Sequence, residues 1–274
     1  MNRTVINFPH GLGDAVHFRL ACELYRQKGY DIGVNAPDDK QIIFGPHFTT
    51  EPGLDLGWWQ EDTNITNHET WQNGNKAFRA VNLHPLPRID TTIEELAAVE
   101  IEINAGQQRE APTPRPYISM HPQGGPGGYW GSKSLNDGQI ASLVHGLLER
   151  TSLDIVLLEW HNPYPTFSNE RVWLEKRPPL ARLANIIAHA ELHIGVDSGP
   201  LYLSRLTNTP AVGLVPHPFH HPVIFTLPRP RATYVSVPTA LSALFPDLYH
   251  VIESPALLNM EVVVKVANES LARL

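Results

Sequence analysis

Apolar residues along this chain alternate between short compact runs and longer stretches with helical spacing. Leu192 to Val196 is compact enough for a buried strand, Leu201 to Leu206 has helical character, and Ala211 to Val215 is a second strand. Between the first strand and the helix stand Asp197, Ser198, Gly199 and Pro200. Strand, tight turn, helix, strand is a βαβ unit, whose strands normally run parallel. The same order of elements opens the chain. Thr4 to Phe8 predicts a strand and Pro9 to Asp14 a turn. Val16, Leu20, Ala21, Leu24 and Tyr25 recur at helical spacing up to Lys28-Gly29, a cationic end followed by a C-cap glycine. Tyr30 to Asn35 predicts the next strand.

Further along, Tyr117 to Met120 and Asp154 to Leu158 predict strands. Ile140, Leu143, Val144, Leu147 and Leu148 mark a helix capped by Asn136 or Asp137, and Leu180 to Ala190 another. Ala232 to Val237 follows, and a last helix is expected over roughly Leu257 to Leu274. From Phe48 to Arg88 no steady period holds, and Trp58, Trp59 and Trp71 sit among polar residues. Thr92 to Val99 reads as helical. The polar, proline-rich stretch Gln107 to Pro116 is the best linker in the chain. The expected organisation is therefore α/β. A first lobe spans 1–112, a second 113–256 and a closing helix 257–274, with a cleft between the lobes for ligands.

Composition narrows this picture. The chain has 274 residues, 42% hydrophobic and 18% charged, with 25 prolines, as in an ordinary globular protein with many turns. A net charge of −7 without any basic stripe argues against nucleic acid as a partner. An anionic ligand would have to be attracted locally. The single cysteine, Cys22, fits a reducing compartment. No apolar run approaches a membrane span, and Pro9, His10, Gly11 and Asp14 interrupt any signal-peptide centre. A cytoplasmic location is expected, with peripheral membrane contact left open.

Candidate chemistry falls in four places. Pro200 suits the first turn of a helix, Asp197 or Ser198 can cap it, and Gly199 lets a ligand approach the free N–H groups. An anion, phosphate above all, is the natural guest there. Lys133 leaves a loop with five glycines between Gly124 and Gly131, and it either neutralises a developing charge or is simply solvated. Glu159 ends the strand Asp154–Leu158 and is either a ligand group or a surface glutamate. Asp14, at the first strand-to-helix turn, either caps a helix starting at Ala15 or moves a proton. Gly11-Leu12-Gly13 is followed by Val16 where a dinucleotide fingerprint needs a third glycine, so NAD is not expected. Ser198 is displaced by one position from the G-x-S-x-G of a hydrolase. His217, His220 and His221 lie in a proline-rich loop that keeps their rings from converging, so no metal is expected.

Three stretches carry a family resemblance: GLGDAVHFRLACELYR, ISMHPQGG with Lys133 shortly after, and LANIIAHAELHIGVDSGPLYLSRLTNTPAVGLV. The last is similar to L-x-x-x-I-x-x-A-D-x-x-I-G-x-D-S-G-P-x-H-L-A-x-x-x-x-x-P-x-V. On these motifs the chain resembles the heptosyltransferases of glycosyltransferase family 9. The resemblance implies two Rossmann-like lobes facing across a cleft (the GT-B fold), here with a reduced N-terminal lobe. It implies inverting transfer of a sugar, heptose-like, from a nucleotide-sugar such as ADP-heptose to an acceptor hydroxyl. Asp14 would be the base and Lys133 would stabilise the leaving diphosphate. Gly13, His121, Gln123, Gly124, Glu159, Asp197, Ser198, Gly199, Pro200 and Tyr202 would bind the donor. Tyr202 stands where the family commonly has histidine, which bears on donor choice. No cofactor or metal is implied, and a carbohydrate, glycolipid or protein can be the acceptor. A binding protein without turnover and a nucleotide-sugar epimerase are the alternatives on the same fold.

Overall fold

The structure, a computed structural model, describes residues 4–7, 11–36, 38–48, 78–81, 86, 89–92, 99, 101, 103, 105–106, 111–124, 134–160, 163–196, 198–215, 232–236, 249–251 and 260–273. The chain divides into two compact units, Met1–Asn104 with Val223–Arg229, and Ala105–Pro222 with Pro230–Leu274.

In the first unit, β1 (Thr4–Asn7) lies parallel to β2 (Ile32–Asn35), in register from Thr4 opposite Ile32 to Asn7 opposite Asn35. Helix α1 (Leu12–Gln27) connects them. It begins three residues before the expected Ala15: Gly11 is the N-cap, and Ala15 N–H bonds to the Gly11 carbonyl at 3.0 Å. Asp14 is therefore the third residue of the helix and not its cap. Gly29 ends the helix at φ +89°, where only glycine is unstrained. From Ala15 to Tyr25 every described residue of α1 is buried, Arg19 and Glu23 included. Buried charges must pair, and Arg19 Nη1 donates to Glu23 Oε2 at 2.9 Å while Arg26 holds the other oxygen. Burial raises the Glu23 pKa, but the two arginines outweigh it and hold the carboxyl below its usual range. The Arg19 guanidinium also lies 4.3 Å from the Phe48 ring centroid, tying α1 to α2 (Gln41–Phe48). A glycine at φ +65°, Gly45, breaks α2 ahead of a proline. Within the aperiodic segment β3 (Phe78–Val81) forms, and it pairs antiparallel with β4 (Ile89–Thr92) just beyond it. Thr92, expected to open a helix, instead closes β4, and residues 93–98 lie outside the described set.

The second unit holds a seven-stranded sheet. Its strands are β5 (Tyr117–His121), β6 (Asp154–Glu159), β7 (Val172–Lys176), β8 (Leu192–Val196), β9 (Ala211–Val215), β10 (Ala232–Ser236) and β11 (Tyr249–Val251). They run in the order β11-β10-β9-β8-β5-β6-β7, and every pairing is parallel. From β5 the chain builds outward through β6 and β7, then crosses back to add β8 on the other side. The order reverses between β5 and β8.

Helices cover both faces of this sheet. On one face α3 (Asp137–Arg150) and α6 (Met260–Leu271) bury Ile118, Met120, Ile155, Leu157, Leu192, Ile194 and Val196 in an apolar core. Asn136 caps α3 through a reciprocal capping box with Gln139. The opposite face carries Tyr117, Ser119, His121, His193 and Gly195. There α4 (Leu180–Ala188) accepts the Tyr117 hydroxyl at Ile186 O, 2.6 Å, and α5 (Gly199–Leu206) covers β8. At the far end of the sheet, buried Asp154 accepts from Thr113 Oγ1 (2.5 Å), Arg115 Nε (3.2 Å) and Trp173 Nε1 (2.9 Å), latching the entering chain.

At Gly146 α3 packs tightly on α6, for a Cβ there would stand 2.8 Å from Val264 Cγ2. Alanine gains about 1 kcal/mol over glycine in a helix interior, whereas overpacking a core costs about 1–3 kcal/mol. Overpacking wins because valine is stiff at χ1. Gly146→Ala is expected to lower the unfolding temperature, and Val264→Ala added to it to recover part of the loss, both measured by calorimetry.

Candidate active site

In a doubly wound parallel sheet, ligands bind outside the carboxyl ends of the strands where the strand order reverses. Here that place is the end of β5 and β8. His121 is the last residue of β5 and is 4% exposed. Ser198 follows β8, two residues after its end, and occupies the N-cap position of α5. Their side chains meet, with His121 Nδ1 2.9 Å from Ser198 Oγ.

The serine does not do what its position predicts. It makes no side-chain cap bond, and its hydroxyl donates to Val196 O at 3.1 Å. With its one proton committed there, it accepts from His121 Nδ1–H. Leu201 and Tyr202 N–H bond back to Ser198 O at 3.1 and 3.3 Å, and Pro200 has no N–H. The N–H groups of Ser198 and Gly199 meet no acceptor among the described residues. Pro200 lies in the first turn, as expected. The start of α5 thus offers donors and the positive end of a helix dipole.

After β5, Pro122, Gln123 and Gly124 are buried. Gly124 N–H bonds to Ser134 Oγ at 3.0 Å and Leu135 N–H to Pro122 O at 2.9 Å, which closes the base of the glycine loop. Glu159 ends β6 at the carboxyl edge, as read from the sequence. It is not a free surface carboxylate: Oε2 accepts Tyr164 N–H at 3.2 Å and Oε1 lies 3.6 Å from Lys176 Nζ. Burial, with Glu159 adding to it, pushes the Tyr164 phenol up, so it stays a donor to Leu158 O. Tyr202 is a buried residue of α5. Gly13 is the second residue of α1. The side chain of Asp14, together with Lys133, Asp197, His217, His220 and His221, lies outside the described residues.

Two features at this edge escaped the sequence. Trp160, next after Glu159, packs edge-on to His121 with ring centroids 6.3 Å apart. Its carbonyl accepts from Arg177 Nε at 3.0 Å, and Arg177 is held at φ +45°, an uncommon value for a side-chain-bearing residue. The signal was position alone, since a residue just past the end of a parallel strand faces the ligand edge. One layer deeper, His193 Nδ1 lies 2.9 Å from Ser119 Oγ, both side chains fully buried. A histidine inside the run Leu192–Val196 reads as strand, which hid it. Among the described residues no three His, Cys, Asp or Glu side chains are grouped to hold a metal ion, and no helix is long and apolar enough to cross a membrane.

Burial, and then the nearness of His121, lowers the His193 pKa from 6.5 to about 3. The unfolded chain therefore binds a proton below pH 6.5 that the folded protein refuses until about pH 3. Relative to His193→Leu, wild-type stability should stay level above pH 7 and fall on acidification through that window, by about 1.4 kcal/mol per pH unit at most. Parallel denaturant titrations of both proteins from pH 7 to pH 4 measure it, and a constant difference would contradict a buried neutral imidazole.

No protein-family model matches the chain, and no curated protein matches it in sequence. Solved structures do match in fold. Glycosyl transferase family 9 from Veillonella parvula aligns with TM-score 0.58 and 14% identity, over 99% of this chain and 97% of that one. E. coli ADP-heptose lps heptosyltransferase II aligns with TM-score 0.61 and 14% identity, over 100% and 99%. E. coli heptosyltransferase WaaC with ADP aligns with TM-score 0.58 and 13% identity, over 98% and 100%. The protein has the GT-B fold of the family 9 heptosyltransferases, along nearly its whole length.

Proposed function

We propose that the protein is an inverting glycosyltransferase that moves a sugar from a nucleoside-diphosphate donor to an acceptor hydroxyl. The observation that carries this reading is the start of α5, where two backbone N–H groups without acceptors among the described residues stand beside the His121–Ser198 pair at the point of strand-order reversal. A diphosphate fits such a place, and a helix N-terminus favours an anion by about 0.3–1 kcal/mol, up to ~2 when partly buried. The fold likeness supports the donor class: WaaC is solved with ADP, and a further GT-B neighbour, the heptosyltransferase TibC of TM-score 0.60, with ADP-D-beta-D-heptose.

In this reading the acceptor oxygen attacks the anomeric carbon as its proton passes to Asp14. The bond from that carbon to the diphosphate breaks, and the electron pair leaves on the diphosphate. The N–H groups of α5, Lys133 and His121 meet the charge as it develops. Asp197 and Glu159 meet sugar or ribose hydroxyls, while Gln123, Gly124 and Gly13 shape the walls. A positioned base contributes about 10²–10⁴-fold in rate. The transfer needs no metal, since protein cations and helix ends neutralise the leaving group.

One of ADP, UDP or GDP should raise the unfolding temperature, because a ligand at a hundred times its Kd adds about 2.7 kcal/mol. No shift with any of the three contradicts the donor site. Asp14→Asn should keep that shift and lose sugar transfer by at least about a hundredfold, assayed with the matching nucleotide-sugar and a panel of acceptors. Lys133→Ala should weaken both. A protein that binds the donor but never turns it over, or that isomerises it without an acceptor, would show itself in the same assay.

A further inference from the structure

Ser119 and His193 take no direct part in the proposed transfer, yet they are a costly pair to bury. The His193 ring is wholly enclosed, and its Nε2 has no hydrogen-bond partner among the described residues. Leaving such an atom unpaired lowers stability, and an apolar residue of similar size would avoid the loss. Strand register explains what the ring does there. Ser119 stands opposite His193, and His121 stands opposite Gly195, so the four positions form a square on one face of β5 and β8. Gly195 leaves the corner facing His121 without a side chain. The His193 ring fills it: a Cβ on Gly195 would stand 2.8 Å from His193 Nε2 and 3.5 Å from its Cδ2. The same point is 3.4 Å from Leu201 Cβ, so the ring lies beneath the first turn of α5.

We infer that His193 is a positioning residue for the anion site: pinned by Ser119, its ring occupies the space Gly195 leaves and holds His121 against Ser198. This rests on the donor site proposed above and adds a specific support to it. Burial, and then the nearness of His121, keeps the enclosed ring neutral.

A double-mutant cycle tests the inference, with ADP, UDP and GDP as probes, calorimetric Kd as the readout and ligand-free unfolding temperature as the control. His193→Leu is expected to weaken the bound nucleotide about tenfold, the scale of one lost polar contact. His121→Asn should weaken it as much, and the double variant should be no weaker than His121→Asn by itself to within about twofold. Ser119→Ala removes only the hydroxyl and should give the same non-additivity at about threefold, which keeps the test decisive if His193→Leu folds poorly. Losses that multiply in the double variants, or unchanged affinity in both His193→Leu and Ser119→Ala, overturn the positioning role. Wild type that binds none of the three nucleotides, or His121→Asn without effect, sinks the donor site itself and the inference with it. That failure shows before residue 193 is touched.

Discussion

The hydroxyl of Ser198 has one proton, and where it goes decides whether His121 is held at the start of α5. An N-cap serine ordinarily accepts from the second or third N–H of its helix. Here the hydroxyl turns the other way, donating to Val196 O and accepting from His121 Nδ1. At the same helix start the Ser198 and Gly199 N–H groups meet no acceptor among the described residues, at the edge of the sheet where the strand order reverses between β5 and β8. Rotating that hydroxyl into the cap would aim it at Leu201 N–H and release its bond with His121. The arrangement forgoes a cap, worth about 0.5–2 kcal/mol, and gains the link to His121.

Stability is supplied elsewhere in the same unit. The two faces of the parallel sheet differ: α3 and α6 enclose a continuous aliphatic core, while the face beneath α5 holds Ser119, His121, His193 and Gly195. Polar groups in the sheet interior are affordable on one face because the other is dry and closely packed, down to the glycine contact between Gly146 and Val264. Asp154 and its three donors fix the opposite end of the sheet. The ligand edge thus projects from a rigid frame.

The sequence told strands from helices wherever apolar periodicity was strong, as in α1, β5, α3, β6 and the β8–α5–β9 stretch. It failed where the period was short or mixed. The α2 run is brief and interrupted by Gly45, and β7 reads VWLEK, an edge strand with no fully buried residue. The hairpin of β3 and β4 hid among polar residues, and Thr92 took the wrong class because a threonine pair suits a strand end as well as a helix start. At the site, the turn Asp197–Pro200 was legible from spacing and His121 and Gly124 from the family resemblance, and the structure brings His121 against Ser198. Trp160 and His193 were out of reach, because their relevance depends on which strand lies beside which. Register is a tertiary property, and no local pattern in the chain encodes that Gly195 faces His121.

The most direct test of this account is a crystal structure of the protein with the nucleoside diphosphate that raises its unfolding temperature. Phosphate oxygens within hydrogen-bonding distance of Ser198 and Gly199 N–H, with His121 alongside, are the predicted result. Phosphates seated anywhere else, with the start of α5 unoccupied at saturating ligand, would contradict it.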